Sequence, residues 1–155
     1  MLQILQAESS EHIQTVRELF REYESWLGMD LCFQGFDEEL QTLPGRYEPP
    51  DGRLYIASAD EKAAGCIGMR KLEDGICEMK RLYLRSAFRG QGIGNALIEK
   101  LINEARSAGY KRMRLDTHPP KMGKAVGLYE SYGFRQIPPY YDNPNPDVLF
   151  MELTF

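Results

Sequence analysis

The segment of this chain best suited to chemistry is Arg89-Gly90-Gln91-Gly92-Ile93-Gly94. It follows an apolar run, Leu82-Tyr83-Leu84, and a short turn, Arg85-Ser86-Ala87-Phe88, and it opens an amphipathic helix. Glycines at alternate positions leave backbone N–H groups unshielded. A helix N-terminus adds unpaired donors and a partial positive charge. With the Arg89 cation at its mouth, this is a cradle for a phosphate-bearing ligand. The other reading is a tight turn whose glycines serve backbone geometry alone. Gly-x-Gly-x-Gly is not the Gly-x-Gly-x-x-Gly of dinucleotide-binding folds, and Asn95-Ala96 stand where a P-loop needs Lys-Ser/Thr.

Two further segments carry a pattern. Residues 125–134 read Ala-Val-Gly-Leu-Tyr-Glu-Ser-Tyr-Gly-Phe, and residues 77–84 read Cys-Glu-Met-Lys-Arg-Leu-Tyr-Leu. Arg-x-x-Gly-x-Gly between a strand and a helix, followed by an Ala-x-x-Leu-Tyr-Glu helix ending in Gly-Phe, resembles the GNAT family of N-acetyltransferases. The likeness is strong over residues 53–136 and looser outside them. It implies that acetyl-CoA is the co-substrate, with its pyrophosphate on Arg89, Gly90, Gln91, Gly92, Ile93 and Gly94. It also implies that the central strand splays from its neighbour near Leu82, Tyr83 and Leu84, whose backbone then meets the pantetheine arm and the acetyl oxygen. Ala125 and Tyr129 on the downstream helix, and Thr117 before it, complete the implied cofactor contacts. One position departs from the family: Met122 stands where many members carry an asparagine that contacts the cofactor.

Acetyl transfer to an amine needs a donor for the carbonyl oxygen, a neutral amine and a proton for the leaving thiolate. Tyr129 is the candidate acid by its match to the family; the alternative is a core position, since Ala125, Tyr129 and Tyr132 share a helical face. Tyr132 competes for the role. Glu78 is the candidate general base, directly or through water, because a carboxylate beside an apolar pocket has a raised pKa. The alternative for Glu78 is an ion pair with Arg70, Lys80 or a lysine of a neighbouring strand. Thr117 or His118, at the carboxyl end of a strand, is placed to touch acceptor or pantetheine. A covalent route through Cys77 and His118 has nothing in the sequence to bring the two together. No metal site is expected. A non-catalytic acyl-CoA-binding sensor or regulatory module is the alternative function; it would keep the glycine loop without needing Tyr129 or Glu78.

These groups need a scaffold, and the patterning supplies one. Alternation over residues 2–7 predicts a strand. Ile13, Val16, Phe20, Tyr23 and Leu27 predict a helix capped by Ser9 or Ser10 and stopped by Gly28. A short helix follows over 37–43, then strands over 53–59, 63–71 and 75–85 with hairpin turns between them. The helix after the glycine loop ends at Gly109; a strand over 111–117, a helix over 121–132 and strands over 134–137 and 147–154 complete the chain. The expected fold is α/β, a single mixed, mostly antiparallel twisted sheet of six to seven strands with flanking helices, as in acyl-CoA N-acyltransferases, in one domain spanning 1–155.

With 155 residues, 43% apolar content and a net charge of -4, the chain can bury a core and has no basic excess for nucleic acid. It lacks a continuous apolar run of about 18 residues and a signal-peptide shape at its start, so no membrane partner is expected. Cys32, Cys66 and Cys77 are scattered, which fits a reducing cytoplasm. The remaining partner is an amine acceptor, small molecule or peptide. The stiff tail Pro138-Pro139-Tyr140-Tyr141-Asp142-Asn143-Pro144 reads as an acceptor-pocket wall, a strand connection or a homodimer interface.

Overall fold

The computed structural model describes residues 1–28, 31 and 35–155; Cys32 lies outside the described residues. The chain runs β1 (Leu2–Gln6), α1 (Ser10–Leu27), α2 (Phe36–Thr42), β2 (Arg53–Ala59), β3 (Lys62–Glu73), β4 (Ile76–Leu84), α3 (Ile93–Ser107), β5 (Arg112–Thr117), α4 (Pro119–Ser131), β6 (Arg135–Ile137) and β7 (Leu149–Thr154). The order is the one the patterning predicts. Two short 3-10 turns, Gly45–Tyr47 and Ser86–Phe88, come in addition. α4 starts earlier than expected because Pro119 and Pro120 fit the first helical positions, and it kinks at Met122.

All strands join one sheet in the order β1-β2-β3-β4-β5-β7-β6. Every neighbouring pair is antiparallel except β4 with β5. Asp60 and Glu61, both at positive φ, make the tight β2–β3 turn. α1 and α2 cover one face, where Val16, Leu19, Phe20 and Phe36 pack over Leu54 and Ile56. α3 covers the other, with Leu97, Ile98 and Leu101 over Ile67, Met69 and Met113. Parallel neighbours need a crossover, and α3 provides it. The glycine loop is therefore delivered to the carboxyl end of β4, beside the carboxyl end of β5.

The α1 entry and exit follow from local chemistry. The Ser9 hydroxyl accepts the His12 N–H at 3.1 Å, and Gly28 ends the helix at φ 70. Between α2 and β3 the fit is tight. A Cβ on Gly68 would stand 2.7 Å from the Tyr47 ring, and Tyr47 is buried and tied through its hydroxyl to Glu39 at 3.0 Å. The ring can yield only by shifting in the core or giving up the Glu39 bond. Gly68→Ala is expected to destabilise the fold by about 1–3 kcal/mol, read as a lower urea midpoint at unchanged slope; an unmoved midpoint would show that Tyr47 yields.

Candidate active site

The parallel pairing of β4 with β5 lasts three residues, Ile76–Glu78 against Arg112–Arg114. Both strands continue beyond it, β4 to Leu84 and β5 to Thr117, without pairing to each other. The cause of the divergence lies in β4. Gly68 pairs with Lys80 and Cys66 with Tyr83, so Arg81 and Leu82 face the single residue Ile67 in a β-bulge. Arg81 sits there at φ 62, a conformation that is costly for a residue with a side chain. Its side chain holds it: Nε and Nη2 donate to the two Glu39 oxygens at 3.0 and 2.8 Å, and the guanidinium lies 5.2 Å from the centre of the Phe36 ring.

Past the bulge the backbone alternates. Arg85 N–H bonds to the Ala64 carbonyl of β3 at 2.8 Å, so the backbone groups of Leu82 and Leu84 turn to the gap and those of Tyr83 turn to β3. The expected splay is therefore present. Tyr83 departs from expectation in that its backbone is committed to β3; it lines the cleft beside Trp26, whose ring centre is 6.1 Å from its own.

The gap opens into a cleft of about 660 Å³ between α3, α4 and the end of α1. Leu82, Leu84, Arg89, Gly90, Gly92, Ile93, Gly94, Ala125 and Tyr129 all line it. Gly90 and Gly92 take φ of 78 and 80, and nothing stands within 4 Å of where a Cβ would be on either. Gly92 caps α3 without a side-chain bond, leaving the first amides of the helix open to the cleft. The Arg89 Nε donates to the Leu84 carbonyl at 2.9 Å, and its guanidinium lies 4.9 Å from the Trp26 ring centre. Two expected cofactor contacts do not line the cleft. The Gln91 side chain turns back to the Ala87 carbonyl. Thr117 is buried and its hydroxyl goes to the Met122 sulfur at 3.2 Å. Trp26, Asn95 and the first turn of α4 line the cleft without having been expected to; for Trp26 the only sequence signal was its place off the apolar stripe of α1.

Tyr129 is buried in the core cluster and also lines both the cleft and a small cavity beneath it. The core reading of this residue holds, and the residue also reaches the cleft. Burial pushes its hydroxyl pKa well above the usual value, with the nearby Tyr23 and Asp116 adding to the effect, so it stays protonated. Tyr132 does not line the cleft, and its hydroxyl lies 3.0 Å from both Asn95 Oδ1 and Glu99 Oε1 on α3 with its one proton to donate there. Of the two readings of Glu78, the structure has the ion pair and not the raised pKa. It is buried, accepts Arg70 Nε at 2.8 Å and takes the Tyr140 hydroxyl on its other oxygen. Burial alone would raise its pKa, but Lys80, Arg70 and the Tyr140 hydroxyl hold it below the usual range. Ion pairing with Arg70 is the state the structure shows.

The carboxylate that faces the gap is Asp116, near the end of β5. It lines the cavity beneath Tyr129 and a second one bounded by His118 and Asn143. Its Oδ2 accepts the Tyr141 hydroxyl at 2.7 Å and lies 3.9 Å from Lys80 Nζ. Burial lowers the Lys80 pKa to about 8, and the nearby Arg81 adds to this. Tyr140 and Tyr141 thus hook the 138–148 connection inward over Glu78 and Asp116, where both rings are half-buried. Cys77 bonds to the Arg112 carbonyl at the start of β5, and burial pushes its thiol up to about 12; His118 follows the far end of that strand, so the pair forms no covalent machinery.

A mixed sheet split at its one parallel junction, with a glycine loop and helix N-terminus at the split, defines the acyl-CoA N-acyltransferase fold. The acetyltransferase (GNAT) family model matches residues 13–134. An uncharacterized N-acetyltransferase of Schizosaccharomyces pombe is 41% identical over 87% of this chain and 83% of its own. Another, from Dictyostelium discoideum, is 36% identical over 94% of this chain and 96% of its own. The PaiA N-acetyltransferase of Thermoplasma acidophilum, solved in complex with coenzyme A, superposes with a TM-score of 0.75 at 20% identity, covering 100% of this chain and 99% of that one. The chain belongs to the GNAT family and is an acetyl-CoA-dependent acetyltransferase. Among the described residues no helix is long and apolar enough to cross a membrane.

The Glu39–Arg81 pair has a pH signature. Burial raises the Glu39 carboxyl, but the Arg81 bonds and charge and the Lys80 charge outweigh it and lower the pKa. The folded value is below the unfolded one, so the stabilisation is complete above the unfolded value, about 4.3, and is lost as pH falls through the folded value. Glu39→Gln leaves Arg81 buried without its counter-charge and is expected to cost about 3–5 kcal/mol at pH 7. In denaturant titrations the difference from the wild type should narrow below pH 4; a pH-independent difference would contradict the ion-pair account.

Proposed function

We propose that the chain acts as one N-acetyltransferase domain, in the cytoplasm, moving the acetyl group of acetyl-CoA directly to a primary amine. The observation that carries this reading is the gap itself. It puts the backbone of Leu82 and Leu84, the open amides of α3 and the Tyr129 hydroxyl along one cleft. The open space over Gly90 and Gly92 and the Arg89 cation suit a pyrophosphate, and a backbone N–H from β4 suits the acetyl oxygen as charge develops on it.

Acetyl-CoA supplies the activated acetyl group; the chain supplies position and protons. An alkyl ammonium has a pKa of about 10 and must lose a proton before it attacks. Asp116 takes over the base role from Glu78, because Glu78 has both oxygens occupied and Asp116 faces the gap. The amine nitrogen bonds to the acetyl carbon, the carbon–sulfur bond breaks, Tyr129 gives its proton to the departing thiolate, and the nitrogen's second proton returns to the Tyr129 oxygen. Glu78 acts as a positioning residue, anchoring Tyr140 and the acceptor-side wall. A non-catalytic binding module would not need a protonated tyrosine in the cleft, and the family relatives named N-acetyltransferases favour the enzyme.

Trp26, the chain's single tryptophan, lines the cleft, so its fluorescence reports cofactor binding. Acetyl-CoA is expected to change that fluorescence where ADP at equal concentration does not. With a responsive amine found by thiol release, Tyr129→Phe is expected to lower kcat by about 10²–10⁴-fold with the acetyl-CoA titration unchanged. Asp116→Asn should lower kcat/KM with the acetyl-CoA titration unchanged. Full turnover by Tyr129→Phe would take the acid role from that residue, and no fluorescence response to acetyl-CoA would end the reading.

A further inference from the structure

A second cavity, of about 390 Å³, lies on the α2 side of the sheet. It shares no lining residue with the cofactor cleft. Its walls come from α2, the Gly45–Tyr47 turn and Arg70 of β3. Most of the polar groups there already have partners. The two Glu39 oxygens take the Arg81 guanidinium and the Tyr47 hydroxyl. The Thr42 hydroxyl donates to the Glu38 carbonyl at 2.8 Å.

Arg70 is different. Its Nε donates to Glu78, and its side chain is 17% exposed. Its two terminal nitrogens donate to no protein atom among the described residues, so the open end of the fork faces the cavity. A second guanidinium, that of Arg46, lines the same cavity. Arg46 Nη2 is pinned at 2.7 Å to the carbonyl of Lys71, the residue after Arg70. Two guanidinium groups with spare donors thus line one small-molecule-sized cavity. A planar two-donor fork matches a carboxylate. Charge limits the choice further. Arg46, Arg70 and Arg81 are balanced by Glu38, Glu39 and Glu78 around the cavity, so the site has no large positive excess to hold a phosphate dianion.

We propose that this cavity binds a small organic carboxylate, held by the open end of the Arg70 guanidinium with Arg46 at its mouth. The ligand would leave the Arg70–Glu78 bond in place, so one guanidinium would bridge two carboxylates. Through Glu78 it would also meet Tyr140, which anchors the connection over the gap. The carboxylate is either the acceptor's own or that of a separate effector.

Isothermal titration with glutarate, and with neutral glutaramide as control, tests the site on the whole chain. Glutarate is expected to bind and glutaramide not. Arg70→Lys keeps a cation beside Glu78 but loses the fork, and should weaken glutarate at least about tenfold, with the thermal midpoint near that of the wild type. Arg46→Gln, at an exposed position, should weaken it about two- to fivefold, and Glu38→Gln should strengthen it by a similar factor. Trp26 fluorescence with acetyl-CoA should be unaffected in all three, which separates this site from the cofactor cleft. If the carboxylate is the acceptor's, L-lysine is acetylated faster than cadaverine and Arg70→Lys removes the preference. If it belongs to an effector, glutarate changes the rate with cadaverine without competing against it. No glutarate binding at millimolar concentration, equal binding of glutaramide, or binding that none of the three substitutions alters would overturn the proposal.

Discussion

Everything at the catalytic end of this protein depends on where two parallel strands stop pairing. β4 and β5 share three residues of register and then separate. Elsewhere the sheet is antiparallel, and a parallel pair needs its crossover helix between the strands in sequence. That helix, α3, brings its unpaired amides to the mouth of the opening. The gap leaves backbone groups of β4 without a neighbouring strand, a condition that is costly when buried and useful when a ligand supplies the partner.

The opening is held by charge. Arg81 keeps a conformation unfavourable for its residue type because Glu39 binds it at both oxygens and aromatic rings flank it. Glu78 and Asp116 stand on either side of the divergence, each engaged by a tyrosine from the 138–148 connection. Buried carboxylates and cations alternate through this region, with Arg70 on Glu78 and Lys80 near Asp116. Such a network is a poor source of net stability, since desolvation opposes it, but losing one member leaves a buried charge uncompensated. It fixes the geometry of the gap, which has backbone and glycine along one side and charge and tyrosine along the other.

Much of this was legible in the sequence, for physical reasons. The α1 stripe, the Ser9 cap and the Gly28 stop are local signals, and they read correctly. The glycine loop was legible because few functions require alternate glycines before a helix. The roles of the carboxylates were not. Whether Glu78 carries a raised or lowered pKa depends on Arg70 across the β3–β4 ladder and on Tyr140, which is 62 residues away in sequence. The bulge at Arg81 also left no local mark, because the glutamate that stabilises it comes from α2. Gln91 sits within the motif, yet alternate residues of a tight loop face opposite ways, and its side chain turns outward. Thr117 was read from its place at a strand end, but strand alternation points it into the core at Met122.

The central claim is that the unpaired backbone of β4 past the bulge receives the acetyl-thioester arm. Amide hydrogen exchange, with and without acetyl-CoA, tests it at the bonds concerned. The account predicts slowed exchange at Leu82 or Leu84 and in the first turn of α3, with Tyr83, already bonded to β3, unchanged. Protection confined to the glycine loop, with Leu82 and Leu84 exchanging as before, would contradict it.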